Sequence, residues 1–264
     1  MWNTAFTRTK TDLSLWESES WLLALYEVTV SPDRYALAEI LVEIGTLAGA
    51  RYNRVSIQTQ GKKRAKCKKI ENLSEITAYI VSEPKIIELI SVEQIFEDDF
   101  TKSCASVSID LHRSMFTLHL PAASLDDKKK DVISIAASKY FLPRYGFSHT
   151  LSRAFHAMSW PRGVGDISFD HQTLLGLSAL ARAVSDPSHP LCRLLHDVYR
   201  SNILSMTHLS AYVGSDTMLK WIKKKSYGEI EPITDDLFLW KMTETVTQLA
   251  RSELLAAGAL LPRQ

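Results

Sequence analysis

Cysteine, proline and glycine are all scarce in this 264-residue chain, at three, nine and ten residues. Cys67, Cys104 and Cys192 are odd in number and far apart. That pattern argues against a disulfide framework and suits a reducing compartment. So little proline and glycine, with no low-complexity tract, argues against disorder. Neither sign of charge is in excess, since 31 basic side chains stand against 30 acidic ones, a net of +1. A protein that lives on nucleic acid usually carries a visible basic surplus, so such a role would have to rest on a local patch. Long apolar runs are also missing. The opening MWNTAFTRTKTDLSLWESE contains no stretch of signal-peptide length, and later runs stop well short of the ~20 residues a membrane span requires. The expectation is a cytoplasmic chain with no membrane role.

What the chain does have is material for a core. Hydrophobic residues make up 45% and charged residues 23%, close to the globular average. This length suits one large domain or two smaller ones.

Periodicity supplies the elements. Trp21–Val30 reads as a strand. Ser31-Pro32-Asp33 then opens a helix whose apolar positions, Leu37, Ile40, Leu41, Ile44 and Leu47, keep helical spacing up to Gly49. Asn53–Gln60 alternates as a half-buried strand. The run GKKRAKCKK at 61–69 reads as a surface loop or the start of a helix. Ser74–Val81 reads as a helix capped by Ser74, and Lys85–Gln94 as a strand or a helix. Ala105–Leu111 and Met115–Leu120 alternate on either side of His112-Arg113-Ser114, the pattern of a hairpin. A helix from about Leu125 to Tyr140 follows, with Asp126 and Asp127 in its first turn. The stretch 144–170 is the most irregular. Gln172–Val184 reads as a helix, and Leu191–Tyr199 as helical or extended. A helix at Ser215–Lys225 should turn Leu219, Trp221 and Ile222 inward. A second hairpin, Gly228–Ile233 with Leu237–Met242, leads to a closing helix at Thr243–Ala257, stopped by Gly258.

These elements define an α+β fold, with mixed or antiparallel sheets and helices packed on one face. A hairpin followed by a helix occurs twice, at 105–140 and 228–257, which suggests two similar halves, although the residues themselves do not match. The expected division is an N-terminal region at 1–165 and a C-terminal region at 166–264, or one continuous domain.

The familiar catalytic patterns are absent. There is no phosphate-binding GxxxxGK[ST], and Gly163-Val164-Gly165 lacks the strand-then-helix frame of a dinucleotide site. The eight histidines form no HExxH, and no Cys-x-x-Cys or GxSxG exists. No cofactor is expected. The nearest approach to an acid/base or metal cluster is Asp166, Asp170 and His171, where two carboxylates four residues apart stand beside an imidazole. A capped helix start with solvated charges is the plainer account of them. The basic side chains Lys62, Lys63, Arg64, Lys66, Lys68 and Lys69 could meet phosphates, but no aromatics interleave with them to stack bases. Glu97, Asp98 and Asp99, between Phe96 and Phe100, have the make-up of a surface that meets a basic protein. Trp160 and Arg162 stand in a loop, and these two residue types anchor many protein interfaces.

The C-terminal quarter carries a resemblance. Asp197-Val198-Tyr199, Asn202, Leu204, His208-Leu209, Val213-Gly214, Leu219, Trp221-Ile222, Gly228, Trp240, Leu254 and Gly258 together resemble the C-terminal portion of a group of uncharacterised bacterial proteins, some of which look like immunity proteins of toxin systems. The resemblance contains no catalytic motif and implies more about fold than about activity.

The expected function is non-enzymatic binding of another protein, with toxin neutralisation as its specific form. Glu97, Asp98 and Asp99 would then steer the partner, and Trp160 and Arg162 would anchor it. The alternative is a metal-dependent enzyme acting on nucleic acid, with Asp166, Asp170 and His171 at its centre and the 61–69 run holding phosphate. A scaffold subunit is the third class.

Overall fold

A computed structural model describes residues 20–29, 33–49, 52–62, 64–94, 105–111, 114–122, 125–151, 193–195 and 197–260. In chain order the elements are β1 (Ser20–Tyr26), α1 (Arg34–Ala48), β2 (Arg54–Thr59), β3 (Lys66–Lys69), α2 (Ser74–Ser82), β4 (Ile87–Gln94), β5 (Ala105–Asp110), β6 (Met115–Pro121), α3 (Asp127–Phe141) and β7 (Tyr145–Leu151). Then come β8 (Ser201–Ser205), α4 (Met206–Leu209), β9 (Tyr212–Val213), β10 (Asp216–Thr217), α5 (Met218–Lys225), β11 (Glu229–Pro232), β12 (Leu237–Lys241) and α6 (Glu244–Ala256).

The fold is α+β. Ten strands make one sheet in the order β11-β12-β8-β7-β1-β6-β5-β4-β2-β3, and β9 with β10 forms a separate two-stranded ribbon. Every pairing between the strands is antiparallel. Side chains alternate between the faces of a strand, so β1 at the centre serves two cores. Trp21, Leu23 and Leu25 join the core built with α1, α2 and α3. Leu22 and Ala24 join the core built with α5 and α6 on the opposite face. In each half, then, helices cover one face of the sheet, and the covered face switches at β1.

Helix boundaries follow local chemistry. Asp33 caps α1 by accepting from the Tyr35 N–H at 2.9 Å. Asp126 caps α3 by accepting from Lys129 at 2.7 Å, which places it before the first turn. Thr243 caps α6. Helix α2 departs from expectation. Leu73 holds the cap position, and Asn72 Oδ1 accepts from the Glu75 N–H while Glu75 accepts from the Glu71 N–H. Ser74 is the first helical residue, with its hydroxyl turned back on Asn72. Two carboxylate or amide oxygens reaching back to two free N–H groups satisfy more of the helix start than one serine can.

Four further expectations are corrected. The basic run is neither loop nor helix at Lys66–Lys69, which pairs with β2 from Arg54↔Lys69 to Ile57↔Lys66. Backbone hydrogen bonding to a neighbouring strand makes it a strand, whatever its side chains. The irregular stretch begins with a regular strand, β7, between β1 and β8. There Gly146 is a packing residue, because a Cβ would come within 2.6 Å of Leu25 Cδ2 and 2.9 Å of the Ala24 carbonyl. Strand β2 is covered on one face by the burial of Val55, Ile57 and Thr59, and its other face is closed over Ser56, with Arg54 and Gln58 half-buried beside it. In α5, Met218, Trp221 and Ile222 are buried while Leu219 is only half-buried.

Candidate functional site

The partner-binding set Glu97, Asp98, Asp99, Trp160 and Arg162, and the acid/base set Asp166, Asp170 and His171, lie outside the described residues, as does Lys63. Within the described residues, three arrangements carry polar chemistry.

The first is a polar layer on the face of β2, β4, β5 and β6 opposite α1–α3. One cross-strand row runs Ser56, Ser91, Ser108, Thr117, and the next runs Arg54, Glu93, Ser106, His119. All are buried except Arg54, which is half-buried. Arg54 Nε donates to Glu93 Oε2 at 2.5 Å, and the same carboxylate closes an ion pair with Arg54 Nη2. Ser91 Oγ donates to the other Glu93 oxygen at 3.2 Å, and Ser108 Oγ to Ser91 Oγ at 3.1 Å. A carboxylate buried this deeply needs such partners. His119 is fully buried between Ser106 and Leu22 in register, and burial pushes its pKa down to about 3.

The second is a cluster on the same face of β1, β7 and β8, where the surroundings turn aromatic. Phe147 stacks on Tyr199 at 4.0 Å between centroids, and His149 lies 5.4 Å from the same ring. Tyr145 donates its hydroxyl to the Asp197 carbonyl at 3.0 Å. Arg251 bonds the Asp197 carboxylate at 2.6 Å, tying α6 to the sheet. His208 is buried with Nδ1 2.8 Å from Ser205 Oγ. Burial, helped by the nearby Arg144 charge, holds its pKa down to about 4.

The residues behind the C-terminal resemblance all fall into place here as architecture. Asn202 accepts from the Tyr199 N–H at 3.0 Å and donates to the Tyr199 carbonyl at 2.6 Å, fixing the turn into β8. Trp221 donates to Glu253, and Trp240 to the Tyr227 carbonyl at 2.6 Å. Leu204, Leu209, Val213, Ile222 and Leu254 are core. Gly228 has φ +85°, and a Cβ there would stand 1.9 Å from the Lys241 carbonyl.

The third is the basic edge. All four residues of β3 are exposed, and β3 ends the sheet. Lys66 pairs with Glu83 at 3.0 Å and Lys68 with Glu75 at 3.2 Å, and each ammonium holds its carboxyl below the usual range. Lys68 also lies 5.9 Å from the centre of the half-buried Tyr79 ring. Cys67 is exposed beside Ser56, with Sγ 3.1 Å from Oγ. Three of the four lysines of α5 are likewise engaged, Lys220 and Lys224 with Asp216 and Lys225 with Glu253.

Sequence reasoning missed the polar layer, because a serine on an alternating strand looks like a solvent-facing residue. The available signal was that β5 carries serine at alternate positions, Ser106 and Ser108, in register with Glu93 and Ser91 of β4, with an ionisable residue on each flanking strand.

Among the described residues, no group of three or more His, Cys, Asp or Glu is placed to hold a metal ion, and no helix is long and apolar enough to cross a membrane. No protein-family model matches the chain, and no curated protein matches it. Its fold is similar to that of a solved structure, the Pseudomonas aeruginosa T6SS protein PA0821, with a TM-score of 0.53 and 11% identity, covering 92% of this chain and 73% of that one.

Proposed function

We propose that the chain is a non-enzymatic binding protein that neutralises a toxin in a bacterial secretion-system setting. The observation that carries this reading is the fold shared with a T6SS protein over 92% of the chain. The C-terminal resemblance to proteins that look like immunity proteins points the same way. The residues of that resemblance fix turns, caps and cores, and so hold a scaffold on which a binding surface is displayed. Glu97, Asp98 and Asp99 supply steering charge on this reading, and Trp160 and Arg162 the anchor.

The test is capture of the tagged chain from its native host, followed by co-expression with what it retains. The expected result is one stoichiometric protein encoded beside its own gene, toxic to a test host alone and harmless when co-expressed with this chain. A captured neighbour whose toxicity is unrelieved removes the neutralising role. Divalent-ion binding that disappears in Asp166→Asn or Asp170→Asn transfers the case to the metal-dependent enzyme.

A further inference from the structure

We propose that β3 is a docking edge for an extended acidic segment of a partner protein, which adds to the sheet beside Lys66–Lys69. The inference rests on the protein-binding reading and specifies the surface and the chemistry of the partner. Strand β3 bonds to β2 on its inner side, and no described strand pairs with its outer side. An edge of this kind presents a row of backbone donors and acceptors to any chain that can lie along it. The side chains restrict which chain that is. Lys66, Lys68 and Lys69 lie in the strand, and Lys62 and Arg64 in the turn before it. Glu83 and Glu75 pair with Lys66 and Lys68. Lys62 and Arg64 form no ion pair with any described residue.

Two β3 edges brought together would set lysine against lysine, which disfavours pairing between copies. The same charges favour carboxylates at the facing positions, so one feature supplies both the rejection and the selection. The opposite edge of the sheet, β11, is itself acidic through Glu229 and Glu231. Its Glu231 is already bonded to Lys241 at 2.8 Å, and Pro232 has no N–H to offer. It therefore makes a poor occupant. Nucleic acid is disfavoured by geometry, since alternation divides the lysines between the two faces of the sheet, so that a phosphate backbone lying on one face meets only some of them. No aromatic side chain stands in the strand to stack a base.

The probe is a fluorescein-labelled peptide of alternating glutamate and valine, followed by anisotropy. Binding is expected, weakening with salt, and lost for a peptide of the same charge whose alternate amides are N-methylated. The Lys66→Glu/Lys68→Glu variant, checked for folding by circular dichroism, should bind at least about tenfold more weakly, since two facing pairs change from attraction to repulsion. Equal binding of the methylated peptide, or no binding by the unaltered chain, overturns the proposal. So does preference for a labelled single-stranded oligonucleotide, or self-association abolished by Glu229→Lys. A toxin partner retained equally by the double variant leaves the binding reading standing and removes only this edge.

Discussion

Two buried histidines make stability depend on pH. His119 and His208 have pKa values held down to about 3 and about 4, chiefly by burial, against an ordinary 6.5. The unfolded chain gains a proton on each as pH drops below 6.5, while the folded chain stays neutral until much lower. The stability they carry is thus complete above 6.5 and lost as pH falls. Lowering pH from 7.5 to 5 should cost about 2 kcal/mol for each. Glu83 and Asp216, held low by Lys66 and Lys224, add to the loss only below their ordinary values of 4.5 and 3.8, so pH 5 isolates the histidine effect. Urea midpoints at the two pH values read it, and His119→Leu should remove less than half of the drop, since the half-buried His149, its pKa also lowered by burial, adds to it. An unchanged midpoint in the parent chain would refute it. Backbone constraint gives a second contrast. Gly228→Ala meets both positive φ and a carbonyl at 1.9 Å, for a loss on the order of 3 kcal/mol. Gly258→Ala meets positive φ with nothing within 4 Å and should lose about 1 kcal/mol. Equal thermal shifts for the two variants would show that the carbonyl contact carries no weight. Gly258 was legible from sequence as a helix stop, because its role is local. Gly146 was not, because the need for it comes from β1, more than a hundred residues away.

At the scale of elements, legibility tracked length and periodicity. Helices α1, α3 and α6 repeat their apolar positions over several turns and begin at Asp33, Asp126 and Thr243, so sequence located them. Strand β8 has five residues, and β9 and β10 have two each. Segments that short hold too few alternations to separate from a loop, and they exist because neighbouring strands pair with them. Strand β3 was misread for the opposite reason: its composition is strong, but it reports the solvent-facing edge and not the backbone. The caps are testable. Asp126→Ala leaves the Lys129 N–H without its acceptor and should destabilise by about 1 kcal/mol, read as a lower thermal midpoint. Ser74→Ala in α2 should be nearly neutral, because Asn72 and Glu75 already satisfy that helix start.

For the whole molecule the decisive feature is that β1 belongs to both cores. Leu23 packs with α1–α3, and Leu22, one residue earlier, packs with α5 and α6. Ile203 of β8 and Leu239 of β12 reach into the first core, and Lys241 of β12 bonds Asp131 of α3 at 3.1 Å. Neither half can lose its packing without exposing apolar surface of the other, so unfolding should be cooperative across the sheet. Hydrogen exchange supplies the measurement, with amides of β5 and β12 reporting on the two halves. Leu22→Ala and Leu23→Ala remove similar volumes from opposite faces, each at a cost of about 2–5 kcal/mol. Each substitution should speed exchange at β5 and β12 by the same factor. If Leu23→Ala loosens β5 and leaves β12 protected, the halves open separately. The β1–β7 pairing would then be a contact between two independently stable units.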